Sequence, residues 1–251
     1  NQTPVTLMEK VKGICEEAFD EVLDKMNRNY ARFLEATHQP VHKLPWSRKV
    51  VDFMTLYEEA KAAGGEAFER EYRSELKTLQ QKLENNEMTL LDCNFALLDF
   101  VYGYITDLSP RVVYGLIPPY YPNVSNRFIT GLAPQIRSLD VDLDRFTRER
   151  FGQHYVSEEF YTGISDLSYT SISNSEEISA ALSKSMPFYG TLYDIAISDI
   201  ETISMPCINI GPWGKDFHKL TERVLKRDLC ERTPAIIQHA IGLVLADGDR
   251  Q

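Results

Sequence analysis

The sequence lacks the features that mark nucleic-acid-binding and membrane proteins. The chain has fewer basic than acidic residues: 27 Lys and Arg and 37 Asp and Glu, which give a formal net charge of −10. Phosphate binding needs a clustered basic surface, so we expect no nucleic acid as a partner. No apolar run approaches the length of a membrane span, so we expect no membrane partner either.

Cysteine is scarce, and the four cysteines, at 15, 93, 207 and 230, have no Cys-x-x-Cys spacing. Zinc knuckles and thioredoxin-type motifs are therefore not expected. The apolar surroundings of Cys15, Cys93 and Cys207 predict buried, reduced thiols. Reduced thiols favour a cytoplasmic location.

What the sequence does contain is a first half with helical periodicity. A long first helix is predicted from apolar residues spaced three and four apart: Leu7, Val11, Ile14, Ala18, Val22 and Met26. A shorter helix should end at Gly64-Gly65, and further helices are predicted over 66–84 and 88–108. We interpret 1–108 as a helical region.

The second half alternates between strand-like and helical patterns. Strands are predicted at 112–117 and 203–210, and helices at 140–152, 176–183 and 216–229, with a last helix starting at Thr233-Pro234. Strands alternating with helices predict an α/β fold in which helices cover a parallel or mixed sheet. A boundary near 108–110 separates this α/β part, 109–251, from the helical region.

The most informative segment is Gly211-Pro-Trp-Gly-Lys-Asp-Phe-His218. It lies between the predicted strand 203–210 and the predicted helix 216–229. Glycine lacks a Cβ, so Gly211 and Gly214 would let the backbone come close to a ligand. Loops at the carboxyl ends of strands are where open α/β sheets bind ligands. This loop is therefore the candidate binding site, with His218 as a candidate metal ligand.

Four segments in chain order resemble the arginine-utilization (RocB-like) branch of the M20 metallopeptidases. They are 42–50 (HKLPWSRKV), 111–122 (RVVYGLIPPYYP), 161–168 (YTGISDLS) and 208–224 (INIGPWGKDFHKLTERV). The last match is the most specific. The third resembles the Gly-Thr-Asp segment of the family, with Ser165 in place of threonine.

This resemblance implies a role for each residue of the candidate site. His218 would be the final ligand of a two-zinc site, and Asp216 and Glu222 would orient its ring. Ser165 would contact the substrate, and Asp166 would contact it or fix the loop. Apart from the resemblance, residue chemistry predicts that the loop of Gly211 and Gly214 approaches a substrate and that Lys215 meets its carboxylate.

Each role has a plainer alternative. His218 can bind backbone or water at the start of a helix, and Asp216 can be its N-cap. Glu222 and Arg223 can form a surface pair. Ser165 and Asp166 can form an ordinary turn, and Lys215 can be solvated.

Other motifs of the family are missing. None of the five histidines has an Asp two positions later, and no Glu-Glu pair follows a strand-like run. The resemblance therefore implies the C-terminal portion of a three-layer α/β catalytic domain, with 1–108 as a lid or connecting region. The implied activity is zinc-dependent hydrolysis of amide bonds in small peptides or acylated amino acids.

The implied partners are a small peptide or amino-acid derivative, the N-terminal half of the same protein and a second copy of the chain. Two strands are too few for a stable sheet, which also favours completion by another chain or segment. The alternative is a non-enzymatic binding or dimerisation module that lacks the metal site.

Overall fold

The structure, a computed structural model, describes residues 3–159 and 165–245 and divides the chain into two units. Unit 1 comprises Asn1–Tyr120 and Asn174–Ile197, and unit 2 comprises Tyr121–Ser173 and Ser198–Gln251. The sequence boundary near 108–110 falls inside unit 1. No helix of the described residues is both long and apolar enough to cross a membrane.

Unit 1 contains four helices and two strands in its described residues. They are α1 (Pro4–Ala36), β1 (Val50–Asp52), α2 (Phe53–Glu84), α3 (Leu90–Tyr102), β2 (Val112–Tyr114) and α6 (Ser175–Ser185). Local signals set the helix starts. The Thr3 hydroxyl accepts the Thr6 N–H at 3.2 Å, and Pro4 occupies the first turn of α1.

The predicted helix end at Gly64-Gly65 is a kink within α2. Gly65 has φ 57° and ψ −141°, which interrupts the helix between its two halves. A Cβ on Gly64 would lie 2.7 Å from the Tyr104 ring and from the Phe68 Cβ. The first glycine therefore permits a close approach of the chain, and the second permits the turn.

The core of unit 1 lies between α2 and α3. Phe68, Leu56, Leu79, Leu97 and Val101 are completely buried there. Aromatic rings pack around Phe68 with centroid distances of 5.0 to 6.1 Å, and they belong to Tyr57, Tyr72, Phe100 and Tyr104. Aromatic pairs at such distances add to the stability from area burial.

The sheet of unit 1 has two parallel strands. Val50 pairs with Val112 and Asp52 with Tyr114. The predicted strand 112–117 is thus shorter than expected, because beyond Tyr114 the chain bonds to α6 instead: the Leu116 N–H donates to the Ser185 carbonyl oxygen at 2.8 Å. The following Pro118-Pro119 bond is cis.

The long first helix is present, but most of its predicted apolar stripe does not face the core. Ile14, Val22 and Met26 are exposed, whereas Leu34 is buried and the half-buried Leu23 lies on the packed side. The spacing of apolar residues alone therefore did not identify the buried side of α1.

Unit 2 is built mainly from short helices. They are α4 (Pro134–Arg137), α5 (Leu139–Phe151), α7 (Ile197–Thr202) and α8 (Thr233–Leu245), with 3₁₀ turns at Asn126–Phe128 and Asp166–Tyr169 and a π turn at Asp228–Arg232. Leu139, Leu143, Ile236 and Ala240 form its core. Gly152 ends α5 in the left-handed conformation.

The described residues are therefore helix-rich, with two small two-stranded sheets. The helices predicted for the first half are present, as are those predicted over 140–152 and 176–183 and the last helix from Thr233. Ser175 is the first residue of α6, and its N-cap, Asn174, makes no side-chain cap bond. The three-layer arrangement stays a prediction.

Candidate functional site

The segment that follows Gly211 forms a β-hairpin, and the predicted helix 216–229 is wrong. Strands β3 (Gly214–Lys215) and β4 (Arg223–Val224) pair antiparallel, with Gly214 opposite Val224 and Lys215 opposite Arg223. The Leu225 N–H also donates to the Trp213 carbonyl oxygen at 2.8 Å. Residues 216–222 thus form a loop at the tip of the hairpin, and we call 211–225 the His218 hairpin.

The predicted strand 203–210 is also wrong, because a side chain takes the place of a neighbouring strand. The Asn126 amide donates to the Cys207 carbonyl oxygen at 2.8 Å, and its oxygen accepts the Cys207 N–H at 2.9 Å. The Met205 N–H donates to the Thr170 carbonyl oxygen at 2.9 Å. These bonds satisfy the backbone of Cys207 and the N–H of Met205 without a sheet.

Asp216 organises the tip of the hairpin. Its carboxylate accepts the Thr221 hydroxyl at 3.1 Å and the Arg223 guanidinium at 2.5 Å. Its carbonyl oxygen accepts the Lys219 N–H at 3.0 Å, and its φ is 58°. The N-cap alternative is therefore wrong, because no helix starts here and the carboxylate binds the other arm of the hairpin.

His218 lies exposed in this loop, three residues after β3. Its N–H donates to Glu222 Oε2 at 3.1 Å, and its ring meets Phe217 edge-on with centroids 5.5 Å apart. Its φ is 61°, a left-handed conformation that non-glycine residues seldom adopt. Such conformations persist only where the surroundings impose them, and they are frequent at functional sites.

Glu222 therefore holds the backbone of His218 in this structure. The two side chains are exposed, and the imidazole of His218 makes no hydrogen bond among the described residues. The expected orientation of the ring by Asp216 and Glu222 stays a prediction.

The two glycines of the hairpin differ in what they are needed for. A Cβ on Gly214 would lie 2.9 Å from the Arg223 carbonyl oxygen, so strand pairing requires glycine there. A Cβ on Gly211 would meet nothing within 4 Å. Lys215 extends its ammonium over the Trp213 ring, 5.5 Å from the centroid. All three residues are exposed, so their surface is accessible to a ligand.

A buried ion pair fixes the base of the hairpin. Asp228, only 3% exposed, accepts the Trp213 N–H at 3.2 Å with one oxygen and the Arg232 guanidinium at 2.7 Å with the other. The sequence analysis missed this anchor. Its only sequence signal is an Asp and an Arg four residues apart, which is common on helices.

Of the predicted substrate segment, Tyr161 to Ile164 lie outside the described residues. Ser165 precedes the 3₁₀ turn that begins with Asp166, and its hydroxyl accepts the Leu167 N–H at 3.3 Å. The same hydroxyl lies 3.5 Å from Asn209 Oδ1. The structure therefore brings Ser165 next to the segment that leads into the His218 hairpin.

No hydrogen bond, ion pair or ring contact joins His218 to Ser165 within 3–159 and 165–245. A cleft shared by the two thus stays a prediction. The described residues also contain no group of three or more His, Cys, Asp or Glu that would hold a metal ion.

The two matched segments of unit 1 have structural roles. His42 bonds to the Tyr30 hydroxyl through Nε2 at 3.2 Å. Arg111 donates to both carboxylate oxygens of Glu59, at 2.8 and 3.1 Å, while Lys49 donates to Glu59 at 3.2 Å. These donors, Arg111 foremost, lower the pKa of Glu59 below its ordinary value.

The histidines 154 and 239 have packing or ion-pair roles. The ring of His239 stacks on Phe146 with centroids 4.0 Å apart. His154 lies 2.7 Å from a carboxylate oxygen of Asp144 through Nδ1. Neither residue lies in a cluster of metal-ligating side chains in the part of the chain that is described.

Two curated proteins of Bacillus subtilis (strain 168) are similar to this chain over most of its length. Protein RocB is 23% identical over 238 residues, which cover 94% of this chain and 41% of RocB. The uncharacterized protein YqjN is 25% identical over 240 residues, with the same two coverages.

The chain therefore spans about two fifths of the length of the curated relatives it matches. No family model matches the chain. No solved structure matches it either. The similarity to RocB and YqjN agrees with the branch that the four sequence segments resemble, while membership of the M20 family stays a prediction.

Proposed function

We propose that this chain is part of an M20-type metallohydrolase that cleaves amide bonds of small peptides or acylated amino acids during amino-acid degradation, such as arginine utilization. The observation that carries the proposal is the similarity to RocB across 94% of the chain. The His218 hairpin supports it, because a metal ligand must present an accessible ring from a fixed backbone.

In this proposal His218 is one zinc ligand among several. Its imidazole is exposed, and its backbone is held by Glu222 at 3.1 Å. Zinc takes about four donors, and the described residues offer no cluster of three. They therefore do not make a zinc site by themselves, and we derive no reaction step through the metal from them.

The remaining ligands of the two zinc ions, and a general base, would come from sequence outside this chain. RocB and YqjN are long enough to contain them, since the match covers only 41% of each. Residues 1–108 would form a lid or connecting region, and 109–251 part of a three-layer catalytic domain.

The substrate would lie against the two segments that meet near Asn209. Ser165 would offer its hydroxyl, and Asp166 would contact the substrate or fix its loop. The exposed backbone at Gly211 and Gly214 leaves room for a ligand beside Lys215, whose ammonium would pair with a substrate carboxylate.

The test compares this chain with a longer protein of the full length of its RocB-like relatives. The chain alone should not hydrolyse dipeptides or N-acyl amino acids when zinc is added, whereas the longer protein should hydrolyse at least one of them. Zinc-dependent hydrolysis by the chain alone, or none by the longer protein over both substrate classes, would contradict the proposal.

A second candidate function is a non-enzymatic binding module. The observation in its favour is the set of exposed apolar side chains on the His218 hairpin, which includes Trp213 at 58%, Phe217 at 52% and Val224 at 44%. Contiguous exposed apolar residues mark interaction surfaces. In that case the longer protein would lack hydrolase activity but would bind an amino-acid derivative or a partner protein in calorimetry, and Trp213→Ala would weaken the binding.

A further inference from the structure

The tip of the His218 hairpin holds its histidine in a conformation that this residue does not favour by itself. The Asp216 carbonyl oxygen accepts the Lys219 N–H at 3.0 Å, which closes a turn with His218 in its third position. His218 has φ 61° there, in the left-handed region that glycine adopts most readily. A histidine keeps this conformation only when other bonds of the hairpin impose it.

Arg223 ties the end of the loop to its beginning. This residue lies in β4, and its Nη1 donates to Asp216 Oδ2 at 2.5 Å and to the Thr221 carbonyl oxygen at 3.1 Å. The Thr221 hydroxyl donates to the same Asp216 oxygen at 3.1 Å. Together these bonds fix positions 216 and 221 against each other, and His218 lies between them.

Glu222 acts on the loop from the position next to Arg223. Its Oε2 accepts the His218 N–H at 3.1 Å, and its own N–H donates to the Lys219 carbonyl oxygen at 3.0 Å. The Glu222 carboxylate reaches His218 only while the two ends of the loop stay together. The bonds of Arg223 to the other end of the loop therefore also support the bond between Glu222 and His218.

Arg223 differs from Asp216 in what its replacement would disturb. Asp216 has φ 58°, so most substitutions there would strain the backbone as well as remove the carboxylate. Arg223 lies in a strand, where the extended backbone accepts most side chains. Its side chain is 60% exposed, and exposed ion pairs contribute little to the stability of a fold. Replacing Arg223 should therefore change the loop without unfolding the chain.

We propose that Arg223 is a positioning residue, which holds His218 in the left-handed conformation that presents its imidazole to a metal ion. Arg223 acts through its bonds to Asp216 and Thr221 and touches neither metal nor substrate. Groups that orient a metal ligand from behind raise the affinity of the site. The inference rests on the proposed function, in which His218 is a zinc ligand.

Nuclear magnetic resonance of the chain with labelled histidine measures the conformation of His218 without metal or substrate. The one-bond coupling between an α carbon and its hydrogen differs between positive and negative φ. The chain has five histidines, and His38, with φ 55° in unit 1, is an internal reference. The wild-type chain should show left-handed coupling at both His38 and His218, and Arg223→Met should lose it at His218 alone.

Two controls separate positioning from loss of the hairpin. Arg227→Met removes another exposed arginine, which lies 3.3 Å from Glu231, and it should leave the couplings of both histidines unchanged. The Leu225 N–H donates to the Trp213 carbonyl oxygen at 2.8 Å. In Arg223→Met this amide should exchange with solvent as slowly as in the wild type, because the strands stay paired.

Two results on the chain would overturn the proposal. One is left-handed coupling at His218 that persists in Arg223→Met. The other is fast exchange of the Leu225 amide in that variant, since Arg223 would then hold the strands together rather than position His218.

Zinc affinity of the longer protein, measured by competition with a chelator, tests the consequence for the proposed site. Arg223→Met should weaken zinc binding by roughly 10-fold, as the loss of a group behind a metal ligand does, and Arg227→Met should not change it. Unchanged affinity in Arg223→Met would overturn this inference and leave the proposed function standing. No zinc binding by the unsubstituted longer protein would instead overturn the proposed function, and this inference with it.

Discussion

Replacing Arg111 with methionine should destabilise unit 1 strongly. The Arg111 side chain is 4% exposed, and it donates at 2.8 and 3.1 Å to Glu59 and at 2.6 Å to the carbonyl oxygen of Asp107. Methionine fills much of the space of the aliphatic stem but supplies no donor. The variant therefore isolates the contribution of the guanidinium to folding.

The expected loss of unfolding free energy is about 2–3 kcal/mol. Removing one partner of a buried ion pair costs roughly 3–5 kcal/mol when the other charge is left alone. In the variant Lys49 still donates to Glu59 at 3.2 Å, so the negative charge of Glu59 keeps one positively charged partner. The lost bond to the Asp107 carbonyl oxygen leaves an acceptor that water can reach.

Urea denaturation followed by tryptophan fluorescence is the appropriate assay. The chain has two tryptophans, Trp46 in unit 1 and Trp213 in unit 2, so Trp213→Phe leaves a reporter for unit 1 alone. The control is Arg73→Met, whose side chain is 74% exposed and lies 3.7 Å from Glu69, and it should change nothing measurable. An Arg111→Met loss below about 0.5 kcal/mol, or equal to the control, would refute the reasoning.

Three further predictions concern the backbone, the hairpin and pH. Gly115→Ala should lower the free energy of unfolding of unit 1 by about 1–3 kcal/mol, because the added Cβ would lie 2.3 Å from the Ser185 carbonyl oxygen. The control is Gly13→Ala, whose Cβ would meet nothing within 4 Å, and it should leave stability unchanged or raise it. Thermal melts measure both variants. Asp216→Ala should loosen the tip of the His218 hairpin, seen as faster amide exchange of residues 216–222 with no change in far-ultraviolet circular dichroism; unchanged exchange would contradict its organising role. The pKa of Glu59 is lower in the folded chain than its ordinary value of 4.5. Its ionised carboxylate therefore stabilises unit 1 fully above pH 4.5, and this contribution should be lost as pH falls through the lowered pKa. A free energy of unfolding of unit 1 that stays constant from about pH 5 down to the pH at which the chain unfolds would contradict this.

The helices were predictable because their signals are local. The cap at Thr3, the proline at 4 and the glycine pair at 64–65 act on neighbouring backbone, and the structure uses each of them. The buried side of α1 was not predictable, because the return segment that covers it is fixed by tertiary bonds such as Asn27 to the Leu44 N–H.

The predicted strand 203–210 failed for a related reason. Its Ile and Met content is typical of a buried strand, but a strand needs a partner, and the Asn126 side chain supplies the bonds instead. Strand β1 is only three residues long, so its sequence is too short to show the apolar and polar alternation that predicts a strand.

The candidate site was predictable in composition but not in conformation. Gly211 and Gly214 were expected in a loop between a strand and a helix, and they lie in an exposed hairpin instead. The ligand site there stays a prediction. The helix predicted from Asp216 was wrong because the bonds of Asp216 to Thr221 and Arg223 close a hairpin, and such pairing across five to seven residues leaves no periodic signal.

The most direct test of the proposed function is the hydrolysis rate of a full-length RocB-like protein that carries His218→Ala. We expect a loss of at least 100-fold together with a reduced zinc content by elemental analysis, since a ligand would be missing. His154→Ala, which removes an exposed histidine paired with Asp144, is the matched control and should keep the rate. Unchanged hydrolysis and zinc content in folded His218→Ala protein would contradict the account.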